Sequence, residues 1–424
     1  MFRSVRGMKD LYGSDAEKYH FIFTRIKSIG ERYGFSMIHT PLLENTDVFQ
    51  RSIGDETDVV SKEMYTFLDK GGESMTLRPE GTAGVIRAIV SENLTQRFPV
   101  KYMYCGEMFR YDRPQKGRFR QFRQIGFEYI GDKSPYTDVM LIMIASESLH
   151  SIGIFDFNIM VNTLGDEETR ENYTKAIVKY LSRHEESLSD DSKLRLKKNP
   201  LRILDSKDKQ DVDICSMAPS ILDYLNKESR QYFEKVCTLL ESCKIKYEIN
   251  NFLVRGLDYY SHTAFEIQAT GAGYREALGG GGRYDKLLPI FGGPDVSGVG
   301  FAIGIERLML IIKNGMAFRE PVRIAVIPVN ESENDFAFKV YRELQECGIG
   351  TDFIQTGNLS KKMKTADRLG SKIAVILGET EIESGIATIK IMDSPETASK
   401  NKSVSISKLA AFLKWNIEER TRSC

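Results

Sequence analysis

The densest concentration of chemically usable side chains runs from Phe109 to Glu128. Between Arg110 and Arg123 stand Arg110, Arg113, Lys116, Arg118, Arg120 and Arg123, against the single acid Asp112. Guanidinium groups match phosphate oxygens two at a time, and a ring such as Phe122 offers a stacking plane for a base. Pro114–Gly117 supplies turn chemistry, so the stretch reads as a hairpin with a long loop. Strand alternation puts Phe119, Ile125, Phe127 and Tyr129 on one face with Gln121 and Arg123. Arg118, Arg120, Phe122, Gln124 and Glu128 fall on the other. That second set suits a phosphate-bearing nucleotide; a solvated surface hairpin is the plain alternative.

Four other stretches carry groups of the same kind. Arg255 follows the apolar, strand-like run at Leu253 and precedes Gly256, which permits close backbone approach, and Tyr259 and Tyr260 add hydroxyls, one per strand face. Arg255 and Asp258 could equally form a local salt bridge. The Ala277–Asp285 segment contains Gly279, Gly280, Gly281 and Gly282 in succession. It lacks the Lys-Ser/Thr of a Walker loop and the spacing of a dinucleotide fingerprint, and reads as a tight turn packed on a ligand or strand. Small residues from Gly298 lead into a helix beginning near Gly304–Ile305, with Arg307 in its first turn. Met75–Gly84 ends a strand and opens a helix, with Glu80 and Thr82 at the junction.

The elements around these groups are partly legible. Tyr19, Ile22, Phe23, Ile26, Ile29 and Tyr33 recur at helical spacing, Gly34 ends the helix, and Phe35–His39 reads as extended. From about Asp166 to Glu248 the pattern turns helical and charge-dense, which predicts an insertion between two halves of one sheet-based domain. Beyond a linker at Lys313–Pro321, β-α-β-α-β alternation predicts a small separate α/β domain with a final helix striped by Leu409, Phe412, Leu413 and Ile417. Two to three domains agree with 424 residues.

Composition narrows the class. Hydrophobic residues are 41% and charged residues 28%, too apolar for disorder. Lys+Arg and Asp+Glu are both 59, which excludes nucleic-acid coating by global charge but leaves room for a local basic groove. The six cysteines form no CxxC pair, so a reduced intracellular protein without structural zinc or another metal site is expected. No run approaches the roughly 18 apolar residues of a membrane span, and the N-terminus lacks a signal-peptide core.

Together these residues resemble the class II aminoacyl-tRNA synthetases, and specifically the bacterial type of histidyl-tRNA synthetase. The class motifs match Gly34–Glu44, Phe109–Glu128 and Gly298–Leu308; the sharper histidine signatures match Arg255–Tyr260 and Gly279–Asp285. Arg6–Leu11 and Leu77–Thr82 also match, and Asp112 stands where bacterial members often carry Glu. The resemblance implies an α+β catalytic domain on a mostly antiparallel sheet (residues 1–165 and 249–318), a mostly helical insertion (166–248) and a C-terminal anticodon-binding α/β domain (322–424). It implies formation of histidyl-adenylate from L-histidine and ATP with Mg²⁺, then transfer to histidine tRNA, in a cytoplasmic homodimer paired through Phe35–Glu44.

The resemblance also assigns roles. Arg110 would hold the α-phosphate with Arg255 as a second charge there, Arg118 the distal phosphates, and Phe122 and Arg307 the adenine. Glu80, Gly81, Thr82 and Gln124 would receive the histidine ammonium. Glu128 and Tyr260 would meet the imidazole, with Tyr259 and Tyr284 closing the pocket. Arg113 and Gln115 are candidates for the tRNA acceptor end, and Lys361, Lys362 and Lys364 for the anticodon-binding domain's tRNA contact. The rival readings are a non-catalytic, synthetase-like regulatory subunit of ATP phosphoribosyltransferase and a pure RNA-binding module; neither needs Arg110, Arg255 and Arg307 together.

Overall fold

Alternate residues of a strand face opposite sides, and in the strand Gln121–Ile130 that rule separates a core from a cleft. Ile125, Phe127 and Tyr129 pack into the main hydrophobic core, while Phe122 and Gln124 line a cavity on the other side. The computed structural model describes residues 2–54, 57–270, 277–312, 322–392 and 401–422. The chain divides into two units, Met1–Phe318 and Arg319–Cys424.

The first unit is built on an eight-stranded sheet. Its order is Ser36–Met37, Val100–Phe109, Gln121–Ile130, Gly298–Gly304, Ala277–Tyr284, Ser261–Ala269, Phe157–Thr163 and Glu248–Ile249. The six inner strands pair antiparallel, and only the two outermost pair parallel. The core face receives Ile22, Ile26 and Ile29 from the helix Gly13–Arg32, and Leu141, Ile142 and Ala145 from the helix Pro135–Ser151. The period seen in the first helix is therefore the stripe that seats it on the sheet.

The glycine run corrects the turn reading. Ala277–Tyr284 is a strand in the middle of the sheet. Glycine composition argues for a turn, but here the neighbouring strands forbid side chains: a Cβ on Gly281 would lie 2.0 Å from the Gly300 carbonyl oxygen. At the end of this strand the Arg283 guanidinium is fully buried and ion-paired with the fully buried Asp138 of the helix Pro135–Ser151. Arg283 also donates to Thr137 Oγ1 (2.9 Å) and the Asp132 carbonyl (2.9 Å), while Asp138 accepts from Tyr232 (2.9 Å) and Thr263.

The helical stretch serves two cores. Helices Glu167–Leu181, Asp190–Lys198 and Lys209–Ser216 gather around Tyr173, Ile177, Leu181, Leu196 and Ile203, a cluster that also includes Tyr260 and Ala264. Asp211 organises the polar part, accepting from the Ser189 amide (2.9 Å) and from the hydroxyls of Ser189, Ser192 and Ser206. The last helix, Lys227–Ser242, instead sends Phe233, Val236 and Leu240 into the main core. The insertion read as one block over 166–248 thus gives up its final helix to the sheet.

The second unit has a five-stranded sheet in the order Thr351–Phe353, Arg323–Pro328, Ser371–Leu377, Ile386–Ile391 and Lys402–Ser405. The first three are parallel, as the alternation predicts; the last two add an antiparallel edge the pattern did not show. Lys362 is not available to tRNA. It is 1% exposed, and its ammonium donates to the carbonyls of Pro328 (2.8 Å) and Val329 (3.4 Å). Lys362 shares the buried face of its helix with Ala366, one turn on, whereas Lys361 and Lys364 are exposed.

The Arg283–Asp138 pair gives a stability prediction. Asp138→Ala leaves the buried guanidinium with only the more distant Asp285 carboxylate, at 3.7 Å, and should destabilise the protein by about 3 kcal/mol. A denaturant unfolding free energy lowered by less than about 1 kcal/mol would show that the pair does not tie these elements together.

Candidate active site

A cavity of about 520 Å³ opens on the face of the sheet opposite the main core. Arg110, Arg118, Arg255 and Arg307 all line it, together with Glu80, Thr82, Phe122, Gln124, Tyr259 and Tyr260. Distant stretches of sequence supply these groups, and the fold brings them to one place.

Each guanidinium is aimed by a neighbour. Arg110 Nε donates to the Pro79 carbonyl (2.9 Å), and its Cζ lies 5.6 Å from the Phe122 ring centroid. Arg118 pairs with Asp112 at 3.2 Å, and Arg307 donates to the Ala277 carbonyl. Arg255 turns to Glu266, at 3.0 Å, rather than to Asp258. The hairpin carrying Arg110 and Arg118 is steadied from the N-terminus, where the Gly7 carbonyl accepts from the Arg120 amide at 2.7 Å. Gly7 has φ +84°, and a Cβ there would meet Arg120 Cγ at 2.8 Å, which explains the glycine in Arg6–Leu11.

The inner end of the cavity is polar and buried. Glu80 accepts from the amides of Thr82 (2.6 Å) and Ala83 (2.7 Å), which fixes it at the start of the helix Thr82–Ser91. Burial raises its carboxyl above the ordinary range, opposed by those two amides. Thr82 Oγ1 donates to Glu128 (2.6 Å), and the Tyr284 hydroxyl donates to the other Glu128 oxygen (2.5 Å). Burial pushes the Glu128 carboxyl up to about 8. Gln124 Oε1 and the Tyr259 hydroxyl are buried without a hydrogen-bond partner. A ligand with donors of its own would satisfy them.

Several expected residues sit differently from their reading. Glu128, Tyr284 and Gly81 lie one layer behind the cavity lining. The Tyr104 ring fills the space between Gly81 and Gly126; a Cβ on either glycine would come within 2.3 Å of it. Phe119 lines the cavity instead of joining the core, because strand pairing begins only at Gln121. Leu253–Tyr260 is an irregular loop leading into the strand Ser261–Ala269, so Tyr259 and Tyr260 both face the cavity rather than opposite sides of a strand. Arg113 and Gln115 are exposed in the hairpin loop outside the cavity.

Among the lining residues that sequence reasoning missed are Glu266, Gln268, Asp205 and Lys207. Glu266 and Gln268 alternate with buried Phe265 and Ile267, a period-two signal that was present. Asp205 and Lys207 lie in a charge-dense segment with no local signal.

Helices on one face of an antiparallel sheet and an arginine-lined cavity on the other make the arrangement of a class II aminoacyl-tRNA synthetase. The family model for histidyl-tRNA synthetase matches residues 7–308, and that for an anticodon-binding domain matches residues 323–416. The chain is 45% identical over 411 residues to the histidine–tRNA ligase of Rhodospirillum rubrum, covering 96% of this chain and 99% of that one. It is 43% identical over 414 residues to the enzyme of the same name from Fervidobacterium nodosum, covering 96% and 98%. Among solved structures, apo histidyl-tRNA synthetase of S. aureus superposes with a TM-score of 0.78 at 33% identity, covering 98% of this chain and 100% of that one. The chain belongs to the histidyl-tRNA synthetase family, whose members are ATP-dependent aminoacyl-tRNA ligases.

The Glu128 proton gives a pH prediction. The folded protein keeps it up to about 8, whereas a carboxyl in the unfolded chain releases it near 4.5. Glu128 therefore contributes stability that is full below 4.5 and lost as pH rises through about 8. Glu128→Gln, which cannot ionise, should show a flatter loss of unfolding free energy between pH about 5 and about 8 than the unaltered protein. Parallel curves for the two would mean that Glu128 is ionised in the folded state.

Proposed function

We propose that this cleft joins L-histidine to ATP as histidyl-adenylate and then passes the histidyl group to the 3′ end of histidine tRNA. In the first step a histidine carboxylate oxygen attacks the α-phosphorus and pyrophosphate leaves with the bonding pair. In the second a ribose hydroxyl attacks the carbonyl carbon and AMP leaves. Neither step needs a covalent enzyme intermediate, so the protein's work is placement and charge stabilisation. The observation that carries this reading is the convergence of four guanidiniums on one cavity whose inner end holds unpartnered Gln124 and Tyr259.

Arg110 and Arg255 are assigned to the α-phosphate, Arg118 to the distal phosphates, and Phe122 with Arg307 to the adenine. Glu80, Thr82 and Gln124 take the ammonium. Tyr259 and Tyr260 border the imidazole, while Glu128 and Tyr284 act from behind through Thr82 and the tyrosine hydroxyl. A pocket built from such hydrogen-bonding groups discriminates strongly against side chains that lack them. Mg²⁺ would enter with the ATP phosphates; Asp205 and Glu266 offer oxygen donors beside the phosphate-binding arginines.

The second unit is assigned to the anticodon, with Lys361 and Lys364 exposed on the helix Leu359–Arg368 as candidates. Arg113 and Gln115 remain candidates for the acceptor end. A homodimer accounts for Leu42, Leu43, Phe67 and Leu68, apolar and exposed in and beside the three-stranded sheet of Leu43–Asn45, Ser74–Leu77 and Tyr65–Leu68. Among the described residues no helix is long and apolar enough to cross a membrane, and the reaction places the protein with the translation machinery of the cytoplasm.

The test is ATP–pyrophosphate exchange with the purified chain across all amino acids. Histidine alone should support it; exchange driven equally by another amino acid would sink the assignment. Within that assay Arg255→Ala should lower adenylate formation by about 10²–10³ while weakening histidine and ATP binding far less. Lysine there should recover only part, since an ammonium lacks the planar fork. Normal turnover at saturation with poor binding would make Arg255 a binding group only.

A further inference from the structure

The loop that carries Arg255, Tyr259 and Tyr260 has no regular secondary structure of its own, and three side chains of the helical insertion grip it. Asn199 donates its amide to both carboxylate oxygens of Asp258, each at 3.0 Å. Arg170 donates to the Asp258 carbonyl at 3.0 Å, and Arg202 to the Arg255 carbonyl at 3.4 Å. On the opposite side the Asp258 amide donates to the Ile53 carbonyl at 3.1 Å. The apolar contacts run the same way, because Tyr260 belongs to the insertion's hydrophobic cluster and Val254, Leu257 and Tyr259 pack against it. Beside Asn199, Arg202 and Asp258 the space between loop and insertion is a pocket of about 20 Å³, room for about one water.

Asp258 itself does not line the cavity, although it stands between residues that do. We infer that Asn199 and Asp258 form a clasp by which the insertion sets the position of Arg255 and the two tyrosines, making both positioning residues for adenylate formation. This rests on the functional reading above and adds a determinant that lies outside the cleft. A loop held by two hydrogen bonds at one carboxylate and three more on its backbone has one preferred placement. Small displacements of a charge-stabilising group are costly to rate, of the order of 10²-fold for about 1 Å.

The experiment exchanges the partners. In the full chain, Asn199→Asp sets two carboxylates face to face and should lower exchange turnover ~10–100-fold. The histidine KM should rise, whereas the ATP KM should stay within about 2-fold, because ATP is also held by the hairpin and by Arg307. Adding Asp258→Asn restores an amide–carboxylate pair in reversed order and should return turnover to within about 3-fold of the unaltered protein. A double variant no better than Asn199→Asp, or a single variant at full rate, overturns the clasp. Should Asn199→Asp fail to fold, Asn199→Ala removes the contact without the repulsion; equal rises in both KM values would then mark a general defect and overturn it. Absence of histidine-dependent exchange in the unaltered chain would sink the functional reading instead. The clasp would then be read from amide hydrogen exchange at Arg255–Tyr260, which Asn199→Ala should accelerate and which an unclasped loop would leave unchanged.

Discussion

One steric constraint organises the larger unit: its sheet must bury a core on one face and keep the middle of the other low enough for a cavity beside the smaller cluster of Val85, Ile86, Met108 and Ile130. Tyr104, Gly126, Ala302, Gly280 and Glu266 stand level with one another on five successive strands. Three of those five positions carry a methyl or nothing, and the large groups fall at the ends of the row. The ban is strict, since a Cβ on Gly280 would lie 2.8 Å from the Arg255 guanidinium and one on Gly300 would lie 1.8 Å from Glu128 Oε2. A consequence is that none of the cavity's four guanidiniums comes from a central strand. Arg110 follows a strand end, Arg118 sits in a hairpin loop, Arg255 in an irregular loop and Arg307 in a helix's first turn.

Four guanidiniums around one cavity would repel one another if left alone, and the structure answers with acceptors. Asp112 faces Arg118, Glu266 faces Arg255, and backbone carbonyls take Arg110 and Arg307. Lys207 and the carboxyls of Glu80, Asp205 and Glu306 also line the cavity, so its basic and acidic side chains are equal in number. Such acceptors aim the cations before any phosphate arrives, so little reorganisation is left for the reaction itself. They are also what an incoming phosphate must compete with, and Glu266 holds its own place through a 2.9 Å bond from Gln268.

Local patterns were legible where local physics decides. The apolar stripe of Gly13–Arg32 and the alternation of Gln121–Ile130 each report which side is buried, and the structure buries those sides. Arg110, Arg118, Phe122, Gln124, Arg255 and Arg307 stand out in the sequence by residue type, and the structure brings all six to one cavity. What failed was decided by distant neighbours. The glycines from Gly279 to Gly282 look like a turn until adjacent strands are set beside them. Lys362 looks like its neighbours Lys361 and Lys364 until the helix face is known. Glu128 reads as a contact residue, yet Thr82 stands in front of it. The insertion's hold on Arg255–Tyr260 joins residues some 50 to 90 apart in the chain, and no window of sequence contains it.

The Tyr104 ring between Gly81 and Gly126 has a metrological consequence. With no room for a methyl group on either side, the ring works as a shim of fixed thickness between the sheet and the junction that bears Glu80 and Thr82. The height of that junction above the floor is then set by an aromatic ring, a part that does not compress and has no alternative rotamer of another thickness. Tolerance in the placing of Glu80 and Thr82 is accordingly inherited from the dimensions of one tyrosine.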